Sequence, residues 1–120
     1  MQLLYESSEE GKTACLGIIP GRIMHLKQDP TMIVPHMGWN QLRFSQKKSP
    51  LLKGIKNKSY FYYVHSYAAP VTENTLAETE YGTSFAAAVQ YKNFFGVQFH
   101  PERSGKVGEQ LLKNFLRIKK

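Results

Sequence analysis

A chain of 120 residues is long enough for one small domain around one core. Its 42% hydrophobic content, with seven Tyr and seven Phe, excludes a disordered segment, and no apolar run approaches membrane-spanning length. The single cysteine, Cys15, excludes an internal disulfide framework and fits a reducing, cytoplasmic setting, and no signal-peptide pattern is visible at the start. The net charge of +7 keeps nucleic-acid binding in view. The cations are dispersed, however: Lys47, Lys48, Lys53, Lys56 and Lys58 in one loop region, then Lys113, Arg117, Lys119 and Lys120 near the end. They read as solvated surface.

In chain order, residues 1–10 read as a helix with Met1, Leu4 and Tyr5 on one face and Gly11 as terminator. Pro20-Gly21 marks a turn before a strand at Ile23-Met24-His25-Leu26, and Asp29-Pro30 starts another turn. Residues 35–40, Pro-His-Met-Gly-Trp-Asn, are too rich in special residues for regular structure. Leu42 and Phe44 alternate as a short half-exposed strand, and residues 49–57 form a loop or helical turn. Residues 60–67 carry the strongest β signal. Residues 76–81 and 85–90 read as a hairpin around Gly82, and Tyr91-Lys92-Asn93 turns into an apolar run at 94–98, the pattern of a buried strand. Ser104 is placed to cap a last helix whose apolar positions Val107, Leu111, Leu112, Phe115 and Ile118 follow a helical period. Several strands with a helix at each end predict an α/β sheet with an antiparallel portion, and two helices are few for this many strands.

The chemistry concentrates where the 94–98 strand ends, at His100-Pro101-Glu102. Alternate residues of an extended chain share a side, so His100 and Glu102 project together, and Pro101 stops the ladder. A histidine with a carboxylate beside it suits a general base and its orienting acid, though the same residues also make a capped strand end with a surface ion pair. Of the other histidines, His65 sits among strand tyrosines and reads as packing. His36 reads as structural, and with one cysteine and no short paired His spacing a zinc site is not expected.

Three stretches together resemble the class I glutamine amidotransferases: Gly96-Val97-Gln98-Phe99-His100-Pro101-Glu102-Arg103-Ser104, residues 35–40, and Tyr62-Tyr63-Val64-His65-Ser66-Tyr67. Within that class the 35–40 segment is similar to the branch that supplies ammonia to a (β/α)₈-barrel cyclase in histidine biosynthesis. The resemblance runs over essentially the whole chain. It implies a three-layer, flavodoxin-like α/β fold of which residues 1–120 are the C-terminal portion, with mixed parallel and antiparallel strands and a C-terminal helix. It implies hydrolysis of L-glutamine by a Cys-His-Glu triad without a cofactor. His100 would be the base and Glu102 its orienter. Gln2, Ser66 and Tyr67 would hold the substrate, and Met37, Trp39 and Asn40 would lie near the cyclase interface. By the same resemblance the nucleophilic cysteine falls three residues before Met1, in a Gly-x-Cys-Leu-Gly turn. Cys15 lies outside any strand-to-helix elbow where helix amides would favour a thiolate.

Two alternatives stand beside an enzyme portion: a catalytically silent partner-binding module of the same family, and a basic RNA-binding domain. The last would set stacked aromatics beside clustered cations, whereas here the aromatics fall in apolar strands. Self-association is expected if sheet edges and apolar helix faces lie uncovered.

Overall fold

The computed structural model describes residues 1–27, 30–45 and 48–118. Asp29, Lys47, Lys119 and Lys120 of the expectations above lie outside the described residues. Ten strands and one α-helix appear among the described residues: β1 (Ser7–Ser8), β2 (Thr13–Ala14), β3 (Arg22–His25), β4 (His36–Gln41), β5 (Arg43–Phe44), β6 (Tyr60–His65), β7 (Tyr67–Ala68), β8 (Thr75–Tyr81), β9 (Thr83–Tyr91), β10 (Phe94–Val97) and α1 (Gly105–Arg117). They form three sheets, ordered β2-β1-β3-β7, β10-β9-β8-β5 and β4-β6. The β1–β3 pair is parallel and the other pairings are antiparallel.

The expected first helix is absent. Residues 2–4 make one 3₁₀ turn, and the backbone then leaves helical geometry to pair with β3. Ser7-Ser8 explains the departure. Serine hydrogen-bonds locally to backbone and competes with helix formation, and Ser8 Oγ here accepts from the Glu10 N–H at 3.1 Å. The Glu6 and Glu9 N–H groups meet the Gly21 and Ile23 carbonyls instead of helical ones.

The 35–40 segment is also more regular than its composition suggests. His36–Gln41 is a full strand in unbroken register with β6, from His36↔His65 to Gln41↔Tyr60. Pro35 sits just outside the ladder, where its missing N–H costs nothing. Alternation then sorts the ribbon's two faces. His36, Phe61, Tyr63 and His65 are buried, while Met37, Trp39 and Tyr60 are exposed.

The hairpin around Gly82 forms as expected, with Gly82 at φ +76° in the left-handed region that glycine enters without strain. Among the described residues β10 pairs with β9 alone and lies at the edge of its sheet, and Phe94 is 43% exposed where a buried strand was expected. The main core gathers Leu42, Leu51, Phe61, Tyr63, Phe85 and Leu111 between the sheets and α1. A second cluster packs Tyr5, Ile19, Ile23 and Val89. Asn114 fastens α1 to the 50–52 turn by donating to the Leu51 and Lys53 carbonyls at 2.8 and 2.7 Å. On the helical stripe Leu111 is buried, but Leu112 and Phe115 stay 42% and 50% exposed.

Candidate functional site

His100 stands where β10's continuation meets the 3₁₀ turn Pro101–Arg103. Its N–H donates to the Tyr62 carbonyl at 2.9 Å, which ties it to β6. Ser104 does not cap α1 as the sequence suggests. Its hydroxyl donates to the His100 carbonyl at 2.6 Å and accepts from the Tyr62 N–H at 2.9 Å. The fully enclosed serine is therefore a clamp between the His100 turn and β6, and both of its hydrogen-bonding roles are occupied before the helix begins.

The turn is closed from the other side by α1. A Cβ at Gly108 would lie 1.9 Å from the Pro101 carbonyl oxygen, so only glycine lets the helix pass this close. With the backbone held from both sides, His100 Nδ1 lies 3.2 Å from Glu102 Oε2. The pair meets across a 3₁₀ turn instead of along an extended strand. The two side chains are 41% and 59% exposed. Among the described residues Nε2 has no hydrogen-bond partner. A neutral imidazole with Nδ1–H on a carboxylate presents an unprotonated Nε2, which is the form a general base needs.

The structure brings the Gln2 side chain to the Tyr67 carbonyl. Gln2 Nε2 donates to the Tyr67 carbonyl at 2.9 Å and to Gln98 Oε1 at 2.7 Å. Gln98 was not foreseen, although strand alternation puts it two residues before His100 and on the same side. Ser66 is half-buried, its carbonyl accepting from the Leu26 N–H at 2.8 Å. Met37 and Trp39 present 63% and 54% of their surface on the outer face of the β4–β6 ribbon. Asn40 turns inward instead, towards His36 Nε2 at 3.2 Å and the Glu80 carbonyl at 2.9 Å. Cys15 follows β2, with Sγ 3.8 Å from the Thr13 carbonyl, and no α-helix begins there.

His36 and His65 do pack, and they do so as a pair. His36 Nδ1 and His65 Nε2 are 2.8 Å apart, and His65 Nδ1 is 2.8 Å from the Tyr67 carbonyl. His36 lies between Tyr63 and Tyr81, ring centroids 4.9 and 4.0 Å away. Burial, with His65 beside it, lowers the His36 pKa to about 4. His65 is lowered chiefly by burial, and His100 is close enough to add to that effect. Both rings are neutral at pH 7.

The model of the class I glutamine amidotransferase family matches residues 1–118. This chain belongs to that family. It is 52% identical over 119 residues to the imidazole glycerol phosphate synthase subunit HisH of Yersinia pseudotuberculosis, covering 98% of this chain and 60% of that protein. The HisH of Buchnera aphidicola from Acyrthosiphon pisum is 51% identical over 119 residues, with the same coverage. HisH 1 of Vibrio vulnificus strain YJ016 is 50% identical over 124 residues, again at 98% and 60%. The chain thus spans about 60% of the length of the curated relatives it matches. Its mixed sheets and single C-terminal α-helix are consistent with part of an α/β amidotransferase domain. No helix of the described residues is long and apolar enough to cross a membrane.

Proposed function

We propose that these residues are the base-bearing, C-terminal portion of a single amidotransferase domain. Combined with a nucleophile-bearing segment, it hydrolyses L-glutamine to glutamate and ammonia for a (β/α)₈-barrel cyclase. The observation that carries this reading is the His100–Glu102 pair at 3.2 Å, its backbone clamped by Ser104 and Gly108. His100 takes the thiol proton and returns it to leaving ammonia, while Glu102 holds the tautomer and stabilises the imidazolium. Gln2 and the Ser66-Tyr67 segment hold the amino-acid end of glutamine, beside Gln98. The outer face of β4–β6, with Met37 and Trp39, meets the cyclase, and Asn40 lies one residue behind it. The setting is cytoplasmic.

The 120 residues by themselves do not turn over glutamine, because Cys15 sits apart from any helix-start elbow. Loss of the nucleophile in a comparable triad costs about 10⁶-fold in kcat. The test is glutamate release by this chain alone, then with a segment that carries the Gly-x-Cys-Leu-Gly turn. Activity is expected only in the second case. There His100→Asn removes it by about 10⁴-fold or more, and Glu102→Gln does less damage. Turnover by the chain alone that Cys15→Ser abolishes would make Cys15 the nucleophile and overturn this assignment. Equal activity of the completed wild type and His100→Asn would reject the base.

A further inference from the structure

We propose that Asn40, His36 and His65 form a one-directional hydrogen-bond relay that positions the Tyr67 carbonyl and, through it, the Gln2 side chain. The proposal rests on the reading of Gln2 and Tyr67 as substrate-holding groups and names the residues that set them.

The direction of the relay follows from elimination at each atom. The Tyr67 carbonyl can only accept, so His65 Nδ1, 2.8 Å away, carries the proton. A neutral His65 then has only a lone pair on Nε2, and His36 Nδ1, at 2.8 Å, must donate to it. A neutral His36 is left with an acceptor at Nε2, and Asn40 Nδ2 stands 3.2 Å away. The amide orientation of Asn40 is set independently. Its nitrogen also faces the Glu80 carbonyl at 2.9 Å, and its oxygen accepts from the Gln41 N–H at 2.7 Å.

At the far end the Tyr67 carbonyl accepts twice, from His65 and from Gln2 Nε2 at 2.9 Å, and Gln2 continues to Gln98 at 2.7 Å. Both lone pairs of that carbonyl are thus in use, one fixing the segment and one fixing Gln2. Asn40 lies on the strand whose alternate residues, Met37 and Trp39, are exposed. A contact that shifts β4 therefore has a polar route of four residues to the Tyr67 carbonyl. No member of this chain can reverse its donor and acceptor without leaving a buried pair of like groups facing each other.

Nitrogen-15 NMR of the imidazoles in this chain tests the relay directly. Both rings are expected as Nδ1–H tautomers with unprotonated Nε2. Asn40→Asp replaces the donor with an acceptor, so His36 should move its proton to Nε2 or become doubly protonated. The Ser66, Tyr67 and Gln2 amide signals should shift with it. His36→Phe keeps a ring between Tyr63 and Tyr81 without the donor, and His36→Asn restores a donor near the Nδ1 position. The Tyr67 and Gln2 signals should move in the first and return towards wild type in the second. An Nε2–H tautomer on His65, or unchanged Tyr67 and Gln2 signals in folded His36→Phe or Asn40→Asp, would overturn the relay.

In the protein completed with its nucleophile segment, His36→Phe should raise the KM for glutamine about tenfold with kcat within about twofold, the size of one lost hydrogen bond. His36→Asn should recover most of it. A fall in kcat with KM unchanged would overturn the positioning role. No turnover in the completed wild type would reject the glutaminase reading, and the NMR result would still decide the relay.

Discussion

Mild acid should destabilise this fold, and the buried histidine pair sets the size of the effect. His36 is 3% exposed, and its pKa falls from the ordinary 6.5 to about 4. The unfolded chain therefore binds a proton near pH 6.5 that the folded chain refuses until about pH 4. A group depressed in this way contributes stability that is complete above about pH 6.5 and lost as the pH falls towards about 4. Between about pH 7.5 and pH 5 the linkage integral for His36 alone comes to about 2 kcal/mol, out of a full value of about 3 kcal/mol. His65 is lowered as well and acts with the same sign. Most carboxylates are still ionised at pH 5, so this window isolates the imidazoles. Urea unfolding at the two pH values is the assay, at one protein concentration and fixed ionic strength. His36→Phe should shrink the difference by about 2 kcal/mol and leave the His65 part. An unchanged difference in that variant, or a wild type equally stable at both pH values, would refute the argument.

Gly108→Ala should cost about 1–3 kcal/mol, since its Cβ would overlap the Pro101 carbonyl oxygen. Thermal melting measures this, and a melt like the wild type would show that α1 slides away freely. Ser104→Ala strips the Tyr62 N–H and the His100 carbonyl of a shared partner, at about 1–3 kcal/mol. Hydrogen exchange at the Tyr62 amide should accelerate with it, and unchanged protection there would remove Ser104 from the clamp. The isolated chain should self-associate or bind a hydrophobic dye. Its edge strand β10 and the exposed Leu3, Leu16, Phe115 and Leu116 present unpaired backbone and apolar surface. A monodisperse monomer by sedimentation, with strong amide protection through residues 94–98, would show that these residues close a core by themselves.

The strands were legible where period and turn chemistry agree. Gly82 between two alternating runs, and the Tyr-Phe-Tyr-Tyr-Val run, predict β8–β9 and β6, and both form. Two expectations about where strands form failed, each because a distant partner outweighed a local signal. Residues 1–10 have a helical face but also two serines, and β3 offers the backbone a parallel mate. Pro35, Gly38 and Asn40 look hostile to a ladder until β6 supplies all six pairings. Propensity is a local quantity, and strand pairing is settled by residues 15 to 29 positions away.

The site divides along the same line. His100 and Glu102 are two residues apart, so their meeting could be read from spacing, even though a 3₁₀ turn replaced the extended chain that the argument assumed. The resemblance also picked out Gln2 and Tyr67, and they touch across 65 positions. What spacing cannot express is the pairing of His36 with His65, because no short repeat announces it. Register creates it: His36 and His65 are cross-strand partners on the inward face of one ribbon. Once two histidines are forced together in a buried space, one proton between them is the stable solution, since two positive charges would repel and two lone pairs would face each other with no donor between them. The carbonyl that receives from His65 and the amide of Asn40 beside His36 then fix which nitrogen holds it. Met37 and Trp39 face out from the same strand for the same reason. One alternation in β4 thus puts an exposed apolar face and a buried polar relay back to back, one residue apart.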